Sequence, residues 1–363
     1  MIIFQNLFLV VKSILFLALA VFGVGFIIGF HELGHLIFCK IFKVAAPTYS
    51  IGMGPKLLNK KIGTTNYILS AIPLGGYVEM AGEKKDVPKG EHLFSSRSYY
   101  QKICIMAGGI SFNILFTFLC FSFLYMVGIP KHPILHDIKF GNIIKQVLPK
   151  TPASQAGIKK GDQILQIGRE KIGNNLIDII AAQPDKEVTL YIKRGDEEIT
   201  IPVKLSSQNI DGKNIGILGV QPDLIDENTM KPMSIFKAFA WGAHSTYRAL
   251  TAYGALVKNM FHKKSIDSVG GPIMVFSQTM KSAEKGWLYF LFMLAFLSVG
   301  LAALNILPLP ILDGGQILIL SIEAIIRHSL SEVIKEYIFI TSWIGFLLLT
   351  IYITFKDILN IFW

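Results

Sequence analysis

Cysteine is scarce. Cys39, Cys104 and Cys120 are the only three in 363 residues, and all lie in or beside apolar runs, so neither a disulfide framework nor zinc ligation by cysteine is expected. Charge is scarce as well: 17% of residues are charged against 52% hydrophobic, with a mean hydropathy of +0.50, which excludes an ordinary soluble enzyme. The formal net charge of +10 comes from scattered lysines and arginines with no aromatic stacking platform and no DNA-reading motif. Attraction to anionic lipid accounts for it, and nucleic acid is not an expected partner. The first apolar stretch lacks the basic start of a cleaved signal peptide, and a retained span is expected there.

Long apolar sequence is what the chain has in excess. Ser13 to Phe30, Ile103 to Ile129, Trp287 to Leu307 and Tyr337 to Thr354 are each long enough to cross a bilayer. Lys40, Lys43, Lys56, Lys60 and Lys61 follow the first run, while only Lys12 precedes its core. The positive-inside rule then places both termini outside, and the loop Val44 to Gln101, with Arg327 and Lys335, in the cytoplasm.

Directly after Phe30 stands His31-Glu32-Leu33-Gly34-His35. On a helix this spacing stacks two imidazoles on one face with a carboxylate beside them, a metal clamp with a built-in base. Ionisable groups in a membrane span are costly enough to be read as functional. A catalytic zinc uses three protein ligands and keeps one position open, so a third ligand must come from elsewhere. The run Asn305 to Gly315 contains Pro308 and Pro310, which break the helix, and Asp313 just beyond them. Asp313 is assigned as the third ligand; capping of the following helix explains its residue type equally well locally.

Three further segments carry information. Tyr49 to Pro55 and Tyr67 to Met80 read as short strands punctuated by glycine and proline, either a cytosolic hairpin or one that dips into the membrane and pairs with an extended substrate through Gly75, Gly76, Tyr77 and Val78. At the start of the second span, Gly109 and Asn113 sit one helical turn apart, suited to close helix packing or to a role at the site. Lys231 to His262 has helical apolar spacing and reads as an amphipathic helix on the outer leaflet or against the spans, with packing under the neighbouring soluble module as the alternative; Ser268 to Ile273 reads as a turn.

From about Gly141 to Val220 the character is that of a soluble β-rich module, and Pro152-Ala-Ser-Gln-Ala-Gly-Ile-Lys-Lys-Gly-Asp162 closely resembles the signature of PDZ domains. The resemblance implies a groove for an extended peptide or protein terminus, with Ile215 to Val220 as its glycine-rich loop. HELGH, the Pro73 to Met80 hairpin, the Ala107-Gly-Gly-x-x-x-Asn113 run and Asn305-x-x-Pro-x-Pro-x-Leu-Asp313-Gly-Gly, in this order, resemble the site-2 protease family of intramembrane metalloproteases, of the regulator-of-sigma-E type. The chain departs from that pattern at Gly109, where relatives usually carry proline, and in having a single PDZ module.

The resemblance implies a multi-pass α-helical membrane protein of about four transmembrane helices, a membrane-associated β-hairpin region and one extracytoplasmic PDZ domain. The expected divisions are 1–43 (first transmembrane helix), 44–101 (hairpin loop), 102–129 (second), 130–226 (PDZ), 227–284 (amphipathic region), 285–328 (third) and 329–363 (fourth). It implies Zn2+ on His31, His35 and Asp313, Glu32 as general base, and Asn305, Gly75, Gly76, Tyr77, Val78 and Asn113 at the substrate. Expected partners are pre-trimmed single-span membrane proteins of the anti-sigma-factor type, remnant signal peptides, a terminus at the PDZ groove and the lipid of a bacterial inner membrane. A PDZ scaffold without catalysis and a metal transporter are the competing classes; the latter calls for acidic or histidine residues along several spans, which the sequence lacks.

Overall fold

A computed structural model describes residues 2–81, 92–128, 140–173, 175–210, 213–224, 231–263 and 270–362. The chain divides into two compact units, Met1–Gly128 with Lys231–Trp363, and Ile129–Met230. Among the described residues, four helices are long and apolar enough to cross a membrane: Val10–Ile41, Tyr99–Val127, Trp287–Asn305 and Glu332–Leu359.

The first helix, α1 (Ile2–Ile41), runs without a break through HELGH. The helix continues past the apolar run Ser13 to Phe30 as far as Ile41, with the motif near its C-terminal end. The helix stops where Lys43 takes a left-handed conformation and Val44 N–H turns back to Cys39 O at 2.8 Å. Next come β1 (Thr48–Ile62) and β2 (Thr65–Glu79). Both are longer than the strands read from the sequence, because Lys56 to Ile62 also pairs with Thr65 to Ser70. Thr48 to Ile51 pair twice, with Asn66 to Leu69 and with Gly76 to Glu79. The ribbon therefore folds over on itself, and its corners fall at Gly52 (φ +86°), Gly54 (φ +84°) and Gly75 (φ +111°), conformations that favour glycine. Tyr49 Oη donates to Gly29 O at 2.8 Å and fixes this sheet to α1. Helix α2 (Tyr99–Val127) starts with Ser98 N–H bonded to Gln101 Oε1 at 3.1 Å. It crosses α1 where Gly34 and Gly108 lie so close that a Cβ on either would meet the other's backbone.

The second unit holds β3 (Phe140–Val147), α3 (Pro152–Gln155), β4 (Gln163–Ile167), β5 (Glu170–Lys171), α4 (Leu176–Ala181), β6 (Glu187–Arg194), β7 (Glu197–Lys204), β8 (Ser206–Ile210), β9 (Lys213–Ile217) and β10 (Val220–Leu224). Its main sheet has the order β10-β3-β4-β6-β7 and closes over a core that includes Ile144, Ile164, Leu176, Leu190 and Ile192. The Pro-Ala-x-x-Ala-Gly-x-x-x-Gly-Asp run acquires physical roles here. Pro152 opens α3, Gly157 (φ +75°) and Gly161 (φ +91°) make the left-handed turns, and Asp162 is buried. The Asp162 carboxylate accepts from Arg194 Nε and Nη2, both at 2.8 Å, and from Lys159 N–H at 2.8 Å. Burial pushes this carboxyl up, but the Arg194 and Lys159 bonds outweigh it and hold it below the usual carboxylate range. Of the expected glycine-rich loop Ile215 to Val220, only Leu218 and Gly219 lie between strands, Ile215 to Ile217 belonging to β9 and Val220 to β10; Gly219 is left-handed (φ +81°) and Leu218 is in the core.

The first unit resumes with α5 (Ile235–Lys263), α6 (Pro272–Lys285), α7 (Trp287–Asn305), α8 (Asp313–Ile326) and α9 (Glu332–Phe362). Helix α5 lies against the spans: its buried Ala238, Ser245 and Ala249 share a face with Gly242, which touches Ser122, and Tyr125 Oη bonds Ser245 Oγ at 2.7 Å. Of the expected turn at Ser268 to Ile273, Ser268 and Val269 lie outside the described residues; Gly271 caps α6, and Asp357 of α9 accepts from Gly271 N–H and Met274 N–H. Helix α7 ends at Asn305, and the prolines keep residues 306–312 out of helix until α8 begins at Asp313. Gly314 and Gly315 sit against the carbonyls of Ile306 and Leu309, so any side chain there would push the break off α8.

Candidate metal centre

Three distant stretches of chain meet at one point. His31 and His35 project from one face of α1, and Asp313, the first residue of α8, reaches them from the helix break. His31 Nε2 and His35 Nε2 are 3.2 Å apart, Asp313 Oδ2 is 3.2 Å from His31 Nε2, and Asp313 Oδ1 is 3.5 Å from His35 Nε2. Ligands about 2.0–2.1 Å from a tetrahedral zinc are spaced about 3.3–3.4 Å from one another, so the donor set fits zinc. Among the described residues this is the one such group of three histidine, cysteine or acidic side chains.

Two further observations support the fit. Asp313 Oδ2 is buried and, though 3.2 Å from His31 Nε2, has no hydrogen-bond partner; a buried carboxylate oxygen without a partner is costly unless a cation takes it up. A Cβ built on Gly109 would fall within 2.6 Å of both Nε2 atoms, so the glycine leaves free the space at the centre of the donors. His35 Nδ1–H donates to Ile105 O at 2.8 Å, which leaves Nε2 as its ligating atom. The Asn113 amide lies 3.1 Å from His31 Nδ1.

Glu32 is set beside the triad by the same helix. The Val78 main chain faces the Glu32 carboxylate, and a Cβ on Gly76 would lie 3.0 Å from Glu32 Cγ and 2.9 Å from Ser50 O. The last segment of β2 is therefore laid against α1 at the catalytic candidate itself, with the neighbouring Tyr77 side chain half exposed.

Of the residues expected from sequence, His31, Glu32, His35, Asp313, Gly76, Val78 and Asn113 are brought together. Asn113, expected at the substrate, is instead buried with its amide on a histidine ring. Gly75 packs on the Met53 side chain at the corner of β2, and Asn305 is buried at the last residue of α7. Sequence reasoning missed Gly109 as the residue that clears the metal position, the Ile105 carbonyl, and the pair Thr117 and Ser298, whose hydroxyls both donate to Asn113 O at 2.9 and 3.1 Å. Only Gly109 left a signal in the sequence, its departure from proline.

Comparison with known proteins gives the family. Residues 19–350 match the family described as peptidase family M50. A protein of Clostridium perfringens is 31% identical over 91% of this chain and 94% of its own length, and one of Campylobacter jejuni is 30% identical over 96% and 94%; both bear the name "Putative zinc metalloprotease". An Enterococcus faecalis protein named "Probable protease eep" is 25% identical over 93% of this chain and 97% of its own. Among solved structures, the PDZ domain of an SdrC-like protein from Listeria monocytogenes is 22% identical, covering 23% of this chain and 86% of that chain, with a TM-score of 0.20. The scaffold and transporter readings give way to an enzyme. The chain belongs to peptidase family M50, the site-2 proteases, and is a membrane-embedded zinc metalloprotease.

Proposed function

We propose that this protease cuts peptide bonds in the membrane-spanning segments of single-span proteins already trimmed by another protease, of the anti-sigma-factor type, and in remnant signal peptides. His31, His35 and Asp313 hold the metal, and Glu32 is the general base. The observation that carries the reading is the meeting of Glu32, the ligand triad and the end of β2 at one point beside apolar spans.

Zinc, when bound, supplies Lewis acidity to the scissile carbonyl and makes water a nucleophile near neutral pH. Glu32 takes the proton of the attacking water and delivers it to the leaving amide nitrogen as the C–N bond breaks. The end of β2 lies beside this carboxylate. A helical substrate hides its carbonyls in internal hydrogen bonds and must unwind locally; pairing of the unwound segment along Gly75 to Val78 offsets that cost. Asn305, at the helix break, is assigned to the substrate backbone.

The second unit is assigned as a PDZ module outside a bacterial inner membrane, with both termini on the same side and the centre toward the cytoplasm. It excludes untrimmed ectodomains or reads the newly made terminus. The test is co-expression of a tagged single-span substrate with the wild type and Glu32→Gln, with zinc measured on both purified proteins. Cleavage lost with zinc retained is expected; equal cleavage removes Glu32 as the base.

A further inference from the structure

We propose that Asn113 is a positioning residue of the metal centre: its side-chain oxygen accepts the Nδ1–H of His31 and thereby leaves Nε2 free to ligate. The inference rests on His31 being a ligand, as assigned above.

An imidazole offers its Nε2 lone pair to a metal only when its proton is on Nδ1, and that proton needs an acceptor. For His35 the acceptor is the Ile105 main chain. For His31 the group within reach is the buried Asn113 amide, whose Nδ2 as placed stands 3.1 Å from Nδ1. With Nδ2 toward the ring, Nδ1 would have to accept and the ring proton would sit on Nε2, in the metal position. Exchange of Oδ1 and Nδ2 moves no heavy atom appreciably and puts the acceptor on the ring N–H. Only this orientation agrees with the donor set.

The rest of the packing holds the amide where it is needed. Asn113 O accepts from Thr117 Oγ1 one turn along α2 and from Ser298 Oγ on α7, and Thr117 Oγ1 also lies 3.0 Å from Ala295 O. The helix that leads to Asn305 and the break before Asp313 is thus tied to the residue that orients His31. Two of the three ligands are thereby set by α7, one through Asn113 and one through the break.

The discriminating variants are Asn113→Leu, which removes the acceptor at similar volume, and Asn113→Asp, which keeps two acceptors and removes the donor. Zinc affinity of the full chain in detergent is measured by competition with a chromophoric chelator, alongside His31→Ala and a check of monodispersity. Asn113→Leu is expected to bind zinc about 10–100-fold more weakly and Asn113→Asp within about threefold of wild type. Wild-type affinity in a monodisperse Asn113→Leu overturns the proposal, as does an Asn113→Asp loss as large as that expected for leucine. Should Asn113→Leu not fold, Asn113→Asp decides alone: zinc kept supports the proposal and zinc lost overturns it. If His31→Ala keeps zinc, the ligand assignment itself falls; if it loses zinc while Asn113→Leu does not, only the positioning role falls.

Discussion

The two units are built inside out with respect to each other. In the smaller one the described buried side chains are almost all aliphatic, and Asp162 is the one buried charged or polar group there. In the larger one the buried set includes His31, His35, Asn113, Thr117, Ser298, Asn305 and Asp357, while Phe22, Leu15, Ile325 and Leu348 are exposed. Water drives the first arrangement, since burying apolar area is what stabilises a soluble fold. A bilayer removes that drive, so close small-residue contacts and satisfied polar groups hold the helices together. One unit can therefore lose a side chain and repack, whereas the other carries its chemistry in the groups that also join its helices.

The sharpest way to break this contrast is Gly109→Ala. One methyl group in the small unit's core would be a matter of about 1 kcal/mol, but here the Cβ enters the space between His31 and His35. The expected outcome is loss of nearly all zinc and of cleavage in a protein that remains monodisperse, read by metal analysis and the tagged-substrate assay. Full zinc content would show that the helices slide apart freely and that the crossing at Gly34 and Gly108 is not fixed.

Gly76→Pro should come next in size. It removes an N–H from the segment at Glu32 and brings a Cβ against Glu32 Cγ and Ser50 O, away from the three ligands, so turnover is expected to fall by tenfold or more, on the order of 1.4 kcal/mol or above in transition-state stabilisation, with zinc unchanged. Unchanged turnover would remove strand pairing from the mechanism.

Excision of residues 129–230 tests the other side of the comparison, because it takes out one compact unit whole. Zinc content and cleavage of a trimmed substrate are expected to persist, and an untrimmed substrate should become cleavable. If cleavage still requires the first cut, the gate lies in the spans.

How far the sequence disclosed this follows the same division. His31 and His35 were legible because a spacing of four on a helix fixes their relation without any knowledge of tertiary structure. Asp313 was legible because a metal needs a third donor and the prolines mark a break, which together outweigh capping. The doubling of β1 was not: Lys56 to Ile62 is exposed on both faces, so it lacks the alternation that announces a strand. The target of Asn113 was hidden for a different reason. Which face of α2 meets His31 depends on the Gly34–Gly108 crossing, a contact between glycine backbones that leaves no side-chain pattern to read. In the small unit the Gly-Asp signature was recognisable as a pattern, yet the partner that explains it, Arg194, stands 32 residues away.

That pair gives the smallest expected effect and confines it to one unit. Because the folded Asp162 carboxyl is held below its ordinary value by Arg194 and Lys159, its contribution to stability is fully present above the unfolded carboxyl's pKa, about 3.9. It is lost as pH falls through the lower folded value, where the native state must take up the proton too. Asp162→Asn should accordingly lower protection of the β6 amides in the full chain at pH 7 and at pH 5 by similar amounts, with the gap to wild type closing below about pH 4. Hydrogen exchange corrected for intrinsic rates reads this out, and the amides of α1 and α2 serve as the internal control. A gap that persists unchanged into acid would mean that shape rather than charge is what Asp162 supplies, and equal loss in α1 would mean that the two units do not unfold separately.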